Sequence, residues 1–179
     1  HYLEGNVYAS KRMKAVEDLL ELSGIGRRRM ALRWVSAAEG QLFAGMVGEI
    51  TEQTKELGPF DRNRHALQLA AVEGALKSPR MRWMVGMDRH LTERGNVYHE
   101  KIEIADFAGL LEQAAIDEYQ KALILEALRE GPLSVREMAG KTGLPVYTIS
   151  LKLNDLERRG QTELKGFEGP TPQFVRLPA

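Results

Sequence analysis

The last third of this 179-residue chain carries the pattern that most constrains its fold. Ser134, followed three places later by Glu137, is a capping box that predicts the start of a short helix, and Gly143 predicts its end. Pro145 suits the first turn of a following helix, which apolar residues at three-and-four spacing continue to Gly160. Two segments of alternating polarity then predict the strands of a β-hairpin, 161–167 and 173–177.

With a preceding helix that ends near Gly131, this arrangement resembles the winged-helix module, a variant of the helix-turn-helix. We therefore predict an α+β, mainly helical fold. Its three parts are a partial α-β-α unit at the N-terminus, a helical connector and a C-terminal winged-helix domain. The predicted domain ranges are 1–58, 59–115 and 116–179.

Residues 116–179 also raise the alternative of a DNA-binding transcriptional regulator. The third helix would then read bases and the basic side chains would contact phosphates, with this candidate set: Tyr147, Thr148, Ser150, Lys152, Arg158 and Arg159. The segment holds as many acidic as basic residues, however, and the whole chain has 25 of each. Because non-specific affinity for nucleic acid comes mostly from phosphate neutralisation, this balance favours protein contacts over DNA.

The N-terminal part is predicted to contain one strand between two helices. Apolar spacing predicts a helix over 11–22, and alternation in Met30-Ala31-Leu32-Arg33-Trp34-Val35 predicts a strand. A capping box at Ser36 and Glu39 predicts a second helix. The expected buried face of that helix comprises Leu42, Phe43, Met46, Val47, Ile50 and Leu57. A lone strand needs neighbours, so we expect its pairing partner to come from elsewhere, from a missing part of the domain or from a second copy in a homodimer.

The connector, 59–115, is predicted to contain a helix from Arg64 to Lys77 that Pro79 breaks or restarts. Ile102 and Ile104 alternate with polar residues and predict a short strand, and Asp106 starts a further helical run. Asp88, His90, Glu93, His99 and Glu100 are the right residue types for a metal site. They lack a repeated i, i+4 histidine spacing, so we expect them to be surface residues.

The N-terminal residues resemble a known family. The residues that carry the resemblance are His1-Tyr2-Leu3-Glu4-Gly5-Asn6, the run Leu32 to Gly40 with Trp34-Val35-Ser36-Ala37-Ala38-Glu39-Gly40, and Leu57-Gly58-Pro59. They resemble the C-terminal half of the methyl-viologen-reducing hydrogenase delta subunit family. The resemblance implies an electron-transfer iron–sulfur subunit that links a hydrogenase, or a similar donor, to a heterodisulfide-reductase-type complex. Hydrogenase and heterodisulfide-reductase-type subunits are therefore the implied partners.

The resemblance also implies an iron–sulfur cluster in the full-length protein, ligated by cysteines upstream of the His-Tyr motif. This chain contains no cysteine, so we expect no cofactor and no metal in it and interpret it as a fragment that is not redox-active by itself. His1, Tyr2, Gly5 and Asn6 would form the surroundings of the cluster. No catalytic residues stand out, and whether the chain belongs to an enzyme complex stays open. Without a signal peptide or a run of about 18 apolar residues, we expect a soluble cytoplasmic protein.

Overall fold

The computed structural model describes residues 4–178, and the chain divides into two compact units, 1–66 and 67–179. The described residues are mainly helical and include one antiparallel β-hairpin. The helices are α1 Gly5–Leu22, α2 Gly40–Leu57, α3 Ala66–Lys77, α4 Pro79–Arg89, α5 Ile104–Ala127, α6 Val135–Thr142 and α7 Val146–Arg158. The strands are β1 Thr162–Glu168 and β2 Thr171–Arg176. This confirms the mainly helical α+β class, whereas the domain ranges and the winged-helix assignment stay predictions.

The strand predicted between α1 and α2 is absent. Residues 30–36 have no regular secondary structure, although Met30 has extended backbone angles, with φ −134° and ψ 143°. No described residue accepts a hydrogen bond from the backbone N–H groups of Ala31 to Val35. The alternating pattern therefore produces no strand within the described residues, because a strand exists only where a neighbour pairs with it, and the α-β-α prediction is wrong for them.

Helix α2 begins later than predicted, and its apolar side is largely exposed. Ser36 N–H donates to the Glu39 side chain at 2.7 Å, as in a capping box, but the helix itself starts at Gly40. Leu42, Phe43 and Val47 are exposed, which contradicts the predicted buried face. Among residues 4–66, the buried apolar side chains are Ala15, Leu19 and Ile25. The first unit therefore has a very small core.

The range predicted as a helical connector, 59–115, contains α3, α4 and the first part of α5. The predicted helix over 64–77 is confirmed with a start at Ala66, and Ser78 caps α4 by accepting a hydrogen bond from Met81 N–H at 3.2 Å. The predicted strand at Ile102 and Ile104 is wrong, because Ile104 is already the first residue of α5. α5 continues without a break to Ala127 and merges two helices that the sequence suggested separately.

A braced loop joins α4 to α5. A π-helical turn, His90–Arg94, leads into Gly95, and Asn96 then closes the loop on itself. The Asn96 Oδ1 atom accepts hydrogen bonds from the N–H groups of Tyr98 and Glu100, at 2.9 and 3.0 Å. The loop holds Val97 and Tyr98 almost fully exposed, at 87% and 80%. We call residues 95–100 the Asn96 loop.

The C-terminal pattern was predicted well because its signals are local. The Ser134 and Glu137 capping box forms with both of its hydrogen bonds, and Gly143 ends α6 in the left-handed conformation at φ 73°. The hairpin pairs β1 with β2, and a short bridge joins Leu133 to Phe174 through hydrogen bonds of 3.0 and 2.9 Å. The main buried cluster of this region is Ile124, Leu128, Met138, Ile149, Leu153 and Leu156.

Candidate functional site

The predicted cluster surroundings lie at the start of the chain. His1 and Tyr2 are outside the described residues, and Gly5 and Asn6 are exposed in the first turn of α1. Iron–sulfur clusters are held by cysteine thiolates, with histidine in some cases. The chain has no cysteine, and no group of three His, Asp or Glu residues among residues 4–178 is arranged to hold a metal. The residues of this chain therefore do not fit an iron–sulfur cluster.

A basic turn organises the first unit. Residues 27–29 form a single turn of 3₁₀ helix, and the Arg28 guanidinium pairs with Glu56 near the end of α2 at 2.8 Å. The Arg29 guanidinium donates to the carbonyls of Leu57 and Gly58 at 2.9 and 3.2 Å. The C-terminus of a helix carries partial negative charge and unpaired carbonyls, so a cation there is stabilising. The arginines hold the end of α2 in place.

The same turn is attached to α1 and to the segment after α2. Arg27 lies 3.4 Å from Glu21, whose pKa is lowered mainly because its carboxylate accepts the Arg27 backbone N–H at 2.9 Å. The Arg29 guanidinium sits 5.2 Å from the centre of the Phe60 ring, within the range of a cation–π contact. Phe60 in turn stacks on His65 with ring centres 5.3 Å apart. These contacts stabilise the first unit, whose apolar core is very small.

The six candidate residues of the DNA-binding alternative differ in exposure and in ion pairing. Tyr147, Ser150 and Arg158 are exposed on α7, and Thr148 is half-buried. Lys152 is turned towards α5, where it pairs with Asp117 at 2.5 Å. Arg159, directly after α7, lies 3.6 Å from Glu118 and 3.3 Å from Asp155.

Other basic residues of this region are also paired within it. Lys141 lies 3.2 Å from Glu130, and Arg176 lies 3.0 Å from Glu126. Among the residues that the structure describes, Arg136, Arg158 and Lys165 form no ion pair. Most of the charge that would meet phosphates is therefore already neutralised inside the unit.

A buried lysine lies at the centre of these pairs. Lys121 on α5 is 3% exposed, and its Nζ atom lies 2.6 Å from Asp117, 3.5 Å from Glu118 and 2.5 Å from Asp155 of α7. Arg80 of α4 adds a pair to Asp117 at 2.8 Å. We call the group Arg80, Asp117, Glu118, Lys121, Lys152, Asp155 and Arg159 the α5–α7 ionic network. It connects α4, α5 and α7.

The pKa shifts follow from this geometry. Burial alone would lower the pKa of Lys121, but hydrogen bonds to Asp117 and Asp155 raise it above its ordinary value. Burial likewise acts to raise the pKa of Asp117, yet the hydrogen bonds from Lys121 and Lys152 bring it below its ordinary value. The pKa of Asp155 is lowered by the hydrogen bond from Lys121. All three groups therefore stay charged at neutral pH.

The outward side of α7 carries an apolar surface that the sequence analysis did not single out. Val146, Tyr147 and Leu151 are exposed at 50%, 73% and 48%, and Tyr147 and Leu151 are one turn apart. The sequence did contain a signal for this surface. These large apolar residues lie outside the i, i+4 and i+7 positions that form the buried side of the helix. Exposed aromatic and aliphatic groups on one helix are typical of protein contacts rather than of phosphate contacts.

The candidate metal ligands around His90 do not come together. Glu100 accepts a hydrogen bond from the Asn96 amide at 2.7 Å, and His99 has a positive φ of 62° within the Asn96 loop. Both belong to the internal bracing of that loop.

No helix among residues 4–178 is long and apolar enough to cross a membrane, and a cytoplasmic location stays a prediction.

Comparison with known proteins finds relatives of the first unit. Residues 1–58 match the family described as methyl-viologen-reducing hydrogenase, delta subunit. This confirms the resemblance inferred from the sequence, and we call residues 1–58 the delta-subunit segment. The match covers the α1 helix, the basic turn, residues 30–36 and α2.

The curated relatives are named either as hydrogenase iron-sulfur subunits or as heterodisulfide reductase subunits. The iron-sulfur subunit of the F420-non-reducing hydrogenase of Archaeoglobus profundus is 41% identical over 64 residues, which are 36% of this chain and 47% of that protein. Its counterpart in the vhu F420-non-reducing hydrogenase of Methanopyrus kandleri is 40% identical over 59 residues, 33% of this chain and 45% of the counterpart. One subunit of the ferredoxin:CoB-CoM heterodisulfide reductase of Methanosarcina mazei is 36% identical over 60 residues, 34% of this chain and 8% of that protein.

The matched stretches are short relative to these proteins. The chain spans less than half of the two hydrogenase iron-sulfur subunits and less than a tenth of the heterodisulfide reductase subunit. No solved structure matches the chain.

Proposed function

We propose that this chain is part of an electron-transfer assembly that links a hydrogenase, or a similar donor, to a heterodisulfide-reductase-type complex. The observation that carries the proposal is the match of residues 1–58 to the delta subunit family, supported by relatives named as hydrogenase iron-sulfur subunits and as a heterodisulfide reductase subunit. The same short segment is thus found in both proteins that such a link would join.

Within this proposal, the chain contributes contacts rather than redox chemistry. It has no cysteine to ligate a cluster, so the iron–sulfur cluster would be held by residues outside the 179 of this sequence. No electron-transfer step is assigned to any side chain here. The delta-subunit segment places the chain in the assembly, and the second unit provides surface for partner subunits.

The second unit supports this role through the exposed side of α7. Its apolar residues Val146, Tyr147 and Leu151 face solvent, while Lys152 and Arg159 are held by carboxylates of α5 and α7. At protein interfaces a few residues contribute most of the affinity, and tyrosine is enriched among them. We therefore propose that the C-terminal region, as a winged-helix domain, docks on partner subunits.

The experiment is a binding assay with the full chain. Tagged protein is incubated separately with the matched heterodisulfide reductase subunit of M. mazei and with the F420-non-reducing hydrogenase of A. profundus, and retained protein is measured. We expect retention of at least one of them. We also expect Leu151→Ala to weaken retention and the matched control Leu110→Ala, exposed on α5 at 53%, to leave it unchanged. Retention of neither protein would contradict the proposal.

The DNA-binding alternative is tested in parallel with random duplex DNA at about 50 mM salt. A phosphate-dependent binder would lose affinity steeply as salt rises, and Arg158→Ala and Lys165→Ala would each weaken it. Salt-dependent DNA binding without retention of either redox protein would assign the chain to the regulator class instead.

A further inference from the structure

The delta-subunit segment exposes both a backbone edge and apolar side chains. The N–H groups of Ala31 to Val35 have no acceptor within residues 4–178, and Trp34 and Val35 at the end of this stretch are 48% and 39% exposed. Met30 already has the backbone angles of a strand. Unpaired N–H groups along such a segment are available to a neighbouring strand, as in β-strand addition.

The apolar side of α2 is exposed directly after that edge in the sequence. We define the α2 apolar face as Leu42, Phe43, Met46, Val47 and Ile50, which lie on one side of the helix at three-and-four spacing. Leu42, Phe43 and Val47 are exposed at 47%, 56% and 47%. An 18-residue helix with such a face is ordinarily stabilised by packing that face against another element.

The lengths of the relatives favour one candidate for that element. The matched stretch is 47% of the A. profundus iron-sulfur subunit and 45% of the M. kandleri one, so more than half of each protein lies outside the match. In both relatives the equivalent of this segment is covalently joined to that further polypeptide. A second copy of this chain would supply another extended edge but not the polypeptide that accompanies the segment in its relatives.

We propose that residues 30–35 and the α2 apolar face form a docking surface for the part of a hydrogenase iron-sulfur subunit that this chain does not match. On docking, residues 30–35 become a β-strand paired with a strand of that polypeptide, and Phe43 and Val47 become buried against it. The proposal rests on the proposed function, because it names the partner of the delta-subunit segment, and it adds which residues make the contact and how.

The test is co-expression of the full 179-residue chain with a tagged polypeptide that comprises the unmatched part of the A. profundus iron-sulfur subunit. We expect equimolar co-purification. We also expect amide hydrogen exchange of residues 31–35 to slow by about tenfold or more in the complex, because pairing protects the N–H groups that have no acceptor within residues 4–178 of the chain alone.

Matched variants separate this surface from general hydrophobicity. Trp34→Asp and Val47→Asp are expected to reduce co-purification by about tenfold. Trp83→Asp and Val97→Asp place the same changes at exposed positions of the second unit, 56% and 87% exposed, and are expected to leave recovery unchanged. Circular dichroism of each variant confirms that the helices remain.

Three outcomes would overturn the proposal. They are failure to co-purify, co-purification with unchanged exchange at residues 31–35, and concentration-dependent self-association that protects these residues without the partner. The last outcome would assign the surface to a second copy. The heterodisulfide reductase arm of the binding assay above uses a different protein from this partner, so its retention does not depend on this result, and failure of the docking surface and failure of the proposed function are distinguishable.

Discussion

The Lys121 Nζ atom lies 2.5 Å from Asp155 Oδ2, and this ion pair joins α5 to α7. Lys121 is 3% exposed and Glu118 beside it is 5% exposed, whereas the Asp155 side chain is 41% exposed, so Lys121 and Glu118 form the buried end of the α5–α7 ionic network. Removing one partner of a buried pair leaves an uncompensated charge, which costs far more than removing a surface pair. The position of α7 on α5 therefore depends on this lysine.

Replacing Lys121 by methionine should destabilise the second unit by about 3 kcal/mol, because Asp117, Glu118 and Asp155 lose their shared cation. The measurement is urea unfolding followed by tryptophan fluorescence. A Trp34→Phe background leaves Trp83 of α4 as the reporter, since the chain has two tryptophans.

Lys141→Met is the control for Lys121→Met, because the Lys141 side chain is 43% exposed and pairs with the 84% exposed Glu130. Its cost should stay below about 1 kcal/mol. Equal effects of the two substitutions would show that the network contributes no more than a surface pair.

Acid should weaken the same network. The folded pKa values of Asp117 and Asp155 are lowered, Asp117 by hydrogen bonds from Lys121 and Lys152 that outweigh its burial, and Asp155 by the hydrogen bond from Lys121. A lowered folded pKa gives stability that is present above the unfolded value, about 3.9, and lost as the pH falls through the folded value. The difference in unfolding free energy between wild type and Asp117→Asn should therefore shrink as the pH falls below about 4.

The control for that acid effect is Glu163→Gln, on an exposed position of β1. It removes a carboxylate that takes part in no ion pair of the α5–α7 ionic network. A constant difference between wild type and Asp117→Asn from about pH 7 to about pH 2 would contradict the assignment of acid sensitivity to the network.

Tyr119 gives a separate alkaline prediction. Burial raises the pKa of Tyr119 to about 12, and its side chain is 5% exposed in α5. A raised folded pKa gives stability that is present below the unfolded value, about 10, and lost as the pH rises through the folded value. Tyr119→Phe should therefore flatten the loss of stability between about pH 10 and about pH 12.

That alkaline loss also includes Lys121, whose folded pKa is raised by its carboxylate partners against the effect of burial. The comparison must therefore be made with Lys121 present in both proteins, and only the difference is assigned to the tyrosine. Identical alkaline profiles for wild type and Tyr119→Phe would refute the prediction.

Arg29 should control the end of α2. Arg29→Met removes the donors to the carbonyls of Leu57 and Gly58 while retaining a long apolar stem beside Phe60, so we expect a loss of about 1 kcal/mol. Hydrogen exchange of the last turn of α2 should accelerate. Arg33→Met is the control, because Arg33 hydrogen-bonds only the carbonyl of its neighbour Leu32 among the described residues.

The parts of the fold that the sequence predicted are those whose determinants are local. The capping box of Ser134 and Glu137, the left-handed Gly143 and the restart at Pro79 each depend on residues within one turn of helix, and each is found in place. The prediction for 30–35 failed because strand formation depends on a neighbour, which no amount of alternation within the segment provides.

The sequence did not predict the ionic network, for a different reason. Asp117 and Lys121 have the i, i+4 spacing of an ordinary exposed pair on a helix surface. Only the packing of α7 on α5 buries that pair and brings Lys152 to Asp117 from 35 residues away. The DNA-binding alternative assigned Arg159 to phosphate for the same reason, because its carboxylate partner Glu118 on α5 is distant in sequence.

The Asn96 loop has a practical consequence for handling this protein. Its shape is maintained by the hydrogen bonds of Asn96 and by Gly95, which has a positive φ. The Glu100 carbonyl oxygen lies only 2.8 Å from the place where a Cβ of residue 95 would be. The side chains of Val97 and Tyr98 take no part in that bracing. A short epitope or a fluorophore attachment point introduced at these two positions would be displayed on a fixed support, so the second unit can be labelled without disturbing its helices.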